Sequence, residues 1–115
     1  MDATERVANL ERLLAAGQDG ALLRFGLGGA HLAAGDPVRA AAHLARAVEF
    51  DPGHSAAWKL YGRALTECGR RAEAAAAYRE GIRAAEAHGD VQAAKEMRVF
   101  LRRLEREPPG GQAGD

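Results

Sequence analysis

The side chains best suited to nucleophilic or metal chemistry are few: a single serine, Ser55, a single cysteine, Cys68, and the histidines His31, His43, His54 and His88. A serine nucleophile needs a base within reach of its hydroxyl and a third group to orient that base, commonly from separate parts of the chain. His54 is merely the sequence neighbour of Ser55, so the serine reads as a helix cap. The histidines show no metal-ligand spacing with one another, and Cys68 has no cysteine partner. Cys68 sits at a helix end near Arg70 and Arg71 and reads as a structural thiol. The carboxylates are spread over helix surfaces, with no acid–base pair standing out. Gly26-Leu27-Gly28-Gly29 has the look of a phosphate-cradling loop. However, His31 occupies the place of the last glycine and no strand precedes the run, so helix packing explains it better. The expectation is a protein without catalytic residues, metal or cofactor.

The elements that would position these residues are helices. Hydrophobic residues make up 47% of the chain and aromatics only 5%, so alanine and leucine must fill the core and neighbouring helices must come close. A first amphipathic helix is expected over residues 4–16, carrying Val7, Leu10, Leu13 and Leu14 at helical spacing. A second covers residues 21–34 and stops at Gly35, and Asp36-Pro37 opens a third that ends near Phe50. A fourth runs over residues 55–68 and is closed by Gly69, a fifth runs over 71–87, and Asp90 caps a sixth reaching about Glu105. Residues 1–106 thus read as one domain, and the Pro/Gly-rich residues 107–115 as a disordered tail.

Charge and cysteine usage bound the setting. Sixteen basic and sixteen acidic side chains give a formal charge of +0, so no overall field draws the chain to nucleic acid or anionic lipid. Lys95, Arg98, Arg102 and Arg106 form a basic stripe on the sixth helix, but Glu96, Glu105 and Glu107 dilute it and no aromatic is interleaved to stack on bases. No segment has the roughly 18 to 20 apolar residues of a membrane span, and Asp2 and Glu5 interrupt any signal-like run at the start. A lone cysteine suits a reducing compartment, so a cytoplasmic protein is expected.

The sequence also repeats itself. A shift of about 34 residues lays Leu27 on Tyr61, Gly28 on Gly62, Ala30 on Ala64, Gly35 on Gly69, Ala40 on Ala74, Leu44 on Tyr78 and Val48 on Ile82. The reverse shift puts Leu10 and Leu14 on Leu44 and Val48, which makes the first helix the second half of a truncated repeat. Gly28 and Gly62 permit close helix approach, and Ala40 and Ala74 do the same from the partner helix.

On these residues the chain resembles the tetratricopeptide repeat family. Trp58, Tyr61, Gly62, Leu65, Ala74 and Tyr78 match the family pattern in one repeat, and Leu27, Gly28, Ala40, Leu44, Ala47 and Pro52 match it in the other. Arg24 stands where the first repeat should carry a large aromatic. His31 replaces the later tyrosine and is expected in the core. Lys95 and Glu96 depart from the pattern in the sixth helix, which therefore reads as a cap, its apolar stripe formed by Ala94, Met97, Leu101 and Leu104. The resemblance implies an all-α, antiparallel array of helix hairpins, a right-handed α-solenoid of about six helices.

It also implies a function: holding a peptide or protein segment on the concave surface made by the first helix of each repeat. Carried over by position, that surface comprises Leu22, Phe25, Gly29 and Leu32 from the first repeat and Lys59, Arg63 and Thr66 from the second. A ligand with an apolar side chain and a carboxylate suits this mixture of apolar and basic groups. The alternative is a self-associating structural unit, with Leu22, Phe25 and Leu32 as the contact of a weak homodimer.

Overall fold

The structure is a computed structural model that describes residues 1–106. Among them the chain forms helices only: α1 (Ala3–Ala15), α2 (Ala21–Ala33), α3 (Pro37–Phe50), α4 (Ser55–Glu67), α5 (Arg71–Ala87) and α6 (Val91–Arg106). The boundaries agree with the sequence reading to within about a residue or two, the normal scatter of helix ends. The tail expected over residues 107–115 lies outside the described residues.

Local signals set most of these ends. Asp2 accepts from the Glu5 backbone N–H at 2.8 Å while the Glu5 carboxylate accepts from the Asp2 N–H at 3.3 Å, a reciprocal cap on α1. Asp36 caps α3 by accepting from the Arg39 N–H at 3.1 Å, and Pro37 fits the first turn, where its missing N–H leaves nothing unpaired. Asp90 accepts from the Ala93 N–H at 3.1 Å at the start of α6. Gly35 ends α2 at φ +81°, a left-handed conformation that lets the Asp36 N–H reach back to the His31 carbonyl at 2.8 Å. The expected Ser55 cap is not formed. The His54 carbonyl already accepts from the Ala57 and Trp58 N–H groups, so His54 takes the cap position without a side-chain bond and Ser55 lies inside the first turn.

Packing follows the repeat. The closest pairs are α2 with α3 and α4 with α5, and α2 also touches α4 as α4 touches α6, so the first helices of successive units line up. Leu44 lies against Gly28, where a Cβ would overlap its side chain, and the Tyr78 ring lies in the same way against Gly62. Leu27, Leu44, Leu65 and Met97 are the largest wholly buried side chains. Each stabilises the fold by roughly 2 kcal/mol through burial. In α6, Ala94, Met97 and Leu104 are buried against the rest of the stack, with Met97 over Gly81 of α5, so this helix covers the end of the array. The opposite end is looser, since α1 contains no fully buried residue.

Candidate functional site

A groove of about 440 Å³ runs between α4, α5 and α6. Leu60, Tyr78, Phe100 and Leu104 form its apolar floor. Lys59, Arg63, Arg103, Thr66 and Glu67 stand around it. The helix period accounts for the rim: Lys59, Arg63 and Thr66 recur at spacings of four and three on one face of α4, and Phe100, Arg103 and Leu104 do so on α6. The three cations outnumber the single carboxylate of the rim, so the groove presents net positive charge over a hydrophobic base.

The cations differ in their freedom. Lys59 Nζ donates to Glu96 Oε1 of α6 at 2.7 Å, tying the two walls together. The bond from Lys59, aided by one from Gln92, holds the Glu96 carboxyl below the usual glutamate range. Arg63 Nε donates to Glu67 Oε2 one turn on, at 3.0 Å, with the Arg63 side chain still 60% exposed. The Arg103 guanidinium lies 5.9 Å from the centroid of the Phe100 ring, and no carboxylate partner is found for it among the described residues. Thr66 donates its hydroxyl to the Gly62 carbonyl at 2.7 Å and so stays aligned along its own helix. Burial raises the Tyr78 phenol above its ordinary value, with the Thr66 side chain and Arg63 acting in the other direction, so the ring stays neutral.

Of the residues singled out from the sequence, Lys59, Arg63 and Thr66 are brought together in this groove. Gly29 lies on the neighbouring α2–α4 seam, where a Cβ would meet Leu60 at 3.8 Å. Phe25 is half-buried, packs on the cluster of Ala47, Val48 and Ala57, and has its ring centroid 4.6 Å from that of His54. Leu32 belongs to the core at 8% exposure. Leu22 is 80% exposed and borders a separate shallow depression with Leu13 at the α1–α2 turn. Sequence reasoning passed over Leu60, Phe100 and Arg103. The signal for the last two lay in α6, where Arg103 and Leu104 follow Phe100 by three and four residues.

A second polar cluster lies at the junction of α1, α2 and α3. Glu11 Oε2 is 3.2 Å from His31 Nε2 and 3.4 Å from His43 Nε2. The two imidazoles stack with centroids 5.2 Å apart and planes 11° from parallel. Arg24 holds Asp19 through Nε and Nη2, and its Nη1 lies 3.1 Å from His43 Nδ1. Burial pushes the His43 imidazole below its ordinary value; Glu11 works against this, while His31 and Arg24 reinforce it. Chain spacing had set the histidines apart as non-ligating, but the fold brings His31 and His43 to one carboxylate. His31 is in the core as expected, at 4% exposure, with this polar contact satisfying its ring.

The family model described as tetratricopeptide repeat matches residues 31–97, more than half of the chain. The chain belongs to the tetratricopeptide repeat family. It is 55% identical over 100 residues to the TPR repeat-containing protein PA0015 of Pseudomonas aeruginosa, covering 87% of this chain and 95% of that one. The solution structure of protein BPP2914 from Bordetella parapertussis is similar to it with a TM-score of 0.73 at 45% identity, over 87% of each chain. Tetratricopeptide repeats are in general protein-interaction modules and non-enzymatic scaffolds, so the groove belongs to an architecture whose usual partners are proteins. No helix among the described residues is long and apolar enough to cross a membrane.

Proposed function

We propose that this tetratricopeptide repeat chain holds an acidic protein segment in the groove between α4 and α6, with one apolar side chain of the segment seated over Leu60, Tyr78 and Phe100. The observation that carries this reading is the composition of the groove. Its floor is apolar and three of the four charged groups on its rim are basic. An aliphatic or aromatic anchor would gain burial on the floor, and a carboxylate beside it would take a charge-assisted hydrogen bond from Arg103 or Arg63. Among the described residues Arg103 has no ion pair to break for this, whereas Arg63 exchanges a solvent-exposed partner of its own helix for the ligand.

Self-association finds less support. Of its three proposed contact residues, Leu32 is in the core and Phe25 is packed on its neighbours, which leaves Leu22 beside Leu13 as an exposed apolar pair. Sedimentation across a concentration series addresses this reading directly.

Fluorescence anisotropy with two short labelled peptides tests the groove. One carries a leucine or phenylalanine anchor among aspartate and glutamate residues, and the other has every acid replaced by lysine. The acidic peptide is expected to bind the chain, more weakly as salt rises, and the basic one to bind poorly. Equal affinity for both peptides, or no binding by either, would remove the case for this ligand class.

A further inference from the structure

We propose that Glu11, His31 and His43 form a binding site for a divalent transition metal ion of the zinc class. One ligand comes from each of three successive helices, and the ligating atoms all lie within 4.8 Å of one another. Nitrogen and oxygen ligands about 2.0 to 2.1 Å from a tetrahedral ion stand roughly 3.3 Å apart. The Glu11 oxygen already sits at 3.2 and 3.4 Å from the two imidazole nitrogens, so only the spacing between the imidazoles has to close. Two imidazoles and one carboxylate suit zinc, cobalt or nickel better than calcium or magnesium, which prefer oxygen ligands alone. The set leaves a fourth position for water. The side chains of His31 and His43 are 5% and 12% exposed and that of Glu11 40%, so one buried and one partly covered imidazole back a site that opens to solvent on the carboxylate side.

The contact between Arg24 and His43 separates a metal site from a plain hydrogen-bonded triad. A guanidinium only donates, so His43 Nδ1 accepts from Arg24 and the ring proton sits on Nε2, facing Glu11. An ion bound at Nε2 sends that proton to Nδ1, where it meets the N–H of Arg24 head on. Metal-bound histidines normally donate from the second nitrogen to a carboxylate, carbonyl or water. Arg24 therefore opposes loading, and Arg24→Gln, which offers a neutral side chain with a carbonyl acceptor, removes that opposition. The bound ion would also tie α1, which has no fully buried side chain, to the first full repeat.

Calorimetric titration of the chain, purified without a histidine tag, with zinc chloride tests the site, alongside cobalt(II) absorption to read the ligand set. Stoichiometric zinc binding is expected, with the visible cobalt bands of a nitrogen–oxygen site. Glu11→Gln and His43→Gln, on partly exposed residues, are each expected to weaken it by about tenfold or more, the scale on which even supporting groups of metal sites act. Arg24→Gln is expected to tighten it severalfold. Zinc should raise the Tm of the parent chain and leave that of the Glu11→Gln/His43→Gln double variant unchanged, with circular dichroism confirming that the variant is folded. His54 and His88 remain in every protein. Zinc binding that is equal in the parent and the double variant belongs to them and overturns the proposal, as does weaker binding by Arg24→Gln.

Discussion

The Tyr78 ring lies so close to the backbone of Gly62 that a Cβ at Gly62 would stand 2.5 Å from Cε1. The same relation holds between Leu44 and Gly28 one repeat earlier, so a single contact, used twice, sets how near the paired helices approach. Gly62→Leu is expected to destabilise the fold by about 1 to 3 kcal/mol, because any side chain there must push the Tyr78 ring out of its packed position in the core. Urea unfolding checks this, and an unchanged midpoint would contradict the close contact.

Met97 closes the other end of the core. It is 0% exposed, and it lies against Gly81 where any side chain would collide with it. Met97→Ala should cost about 2 to 5 kcal/mol, since α5 cannot follow the retreating side chain without breaking its contact with α4. Removing the whole of α6 should do more, exposing the apolar side of α5 and leading to aggregation visible in light scattering.

The repeat contacts were readable from the chain because they rest on residue types with one physical use: glycine where helices touch, a large side chain opposite, and glycine again where each hairpin turns. The groove was readable only in half. Lys59, Arg63 and Thr66 follow from repeat position, but the opposite wall comes from α6, which departs from the repeat, so position could not assign Phe100 or Arg103 to it. Phe25 illustrates a different limit. Its position faces the next repeat, and whether it lies open or packed depends on how near Val48, Ala57 and His54 come, a matter of helix crossing that no spacing encodes. The Glu11–His31–His43 cluster was hidden for the same reason, since its members share no helix.

The Lys59–Glu96 bond makes the groove sensitive to acid. Lys59 lowers the Glu96 carboxyl in the folded chain, so the pair contributes stability above the ordinary glutamate value of about 4.3 and loses it as pH falls through the lower folded value. The contribution is small because both partners are in contact with solvent. The Tm difference between the parent chain and Glu96→Gln should therefore be steady from pH 7 to about 5 and close toward pH 3. At neutral pH the same substitution frees the Lys59 ammonium and is expected to strengthen binding of the acidic peptide.

Arg63 and Arg103 face the groove from opposite walls, and reversing the charge of each should have different consequences for stability but similar ones for binding. Arg63→Glu places a second carboxylate one turn before Glu67, so it replaces an attractive pair by a repulsive one and should cost a few tenths of a kcal/mol. Among the described residues Arg103→Glu breaks no ion pair and gives up the contact with the Phe100 ring, so its Tm should stay near that of the parent. Toward the acidic peptide, each change removes a favourable charge and adds an unfavourable one, a loss of about 1 kcal/mol or fivefold at moderate salt. Toward the lysine peptide, each should bring a gain of similar size. The discriminating measurement is the ratio of the two affinities across the parent and both variants. If that ratio inverts for Arg63→Glu and stays put for Arg103→Glu, the ligand lies along α4 alone and α6 serves only as a cap. If both invert it, the two walls hold the segment between them.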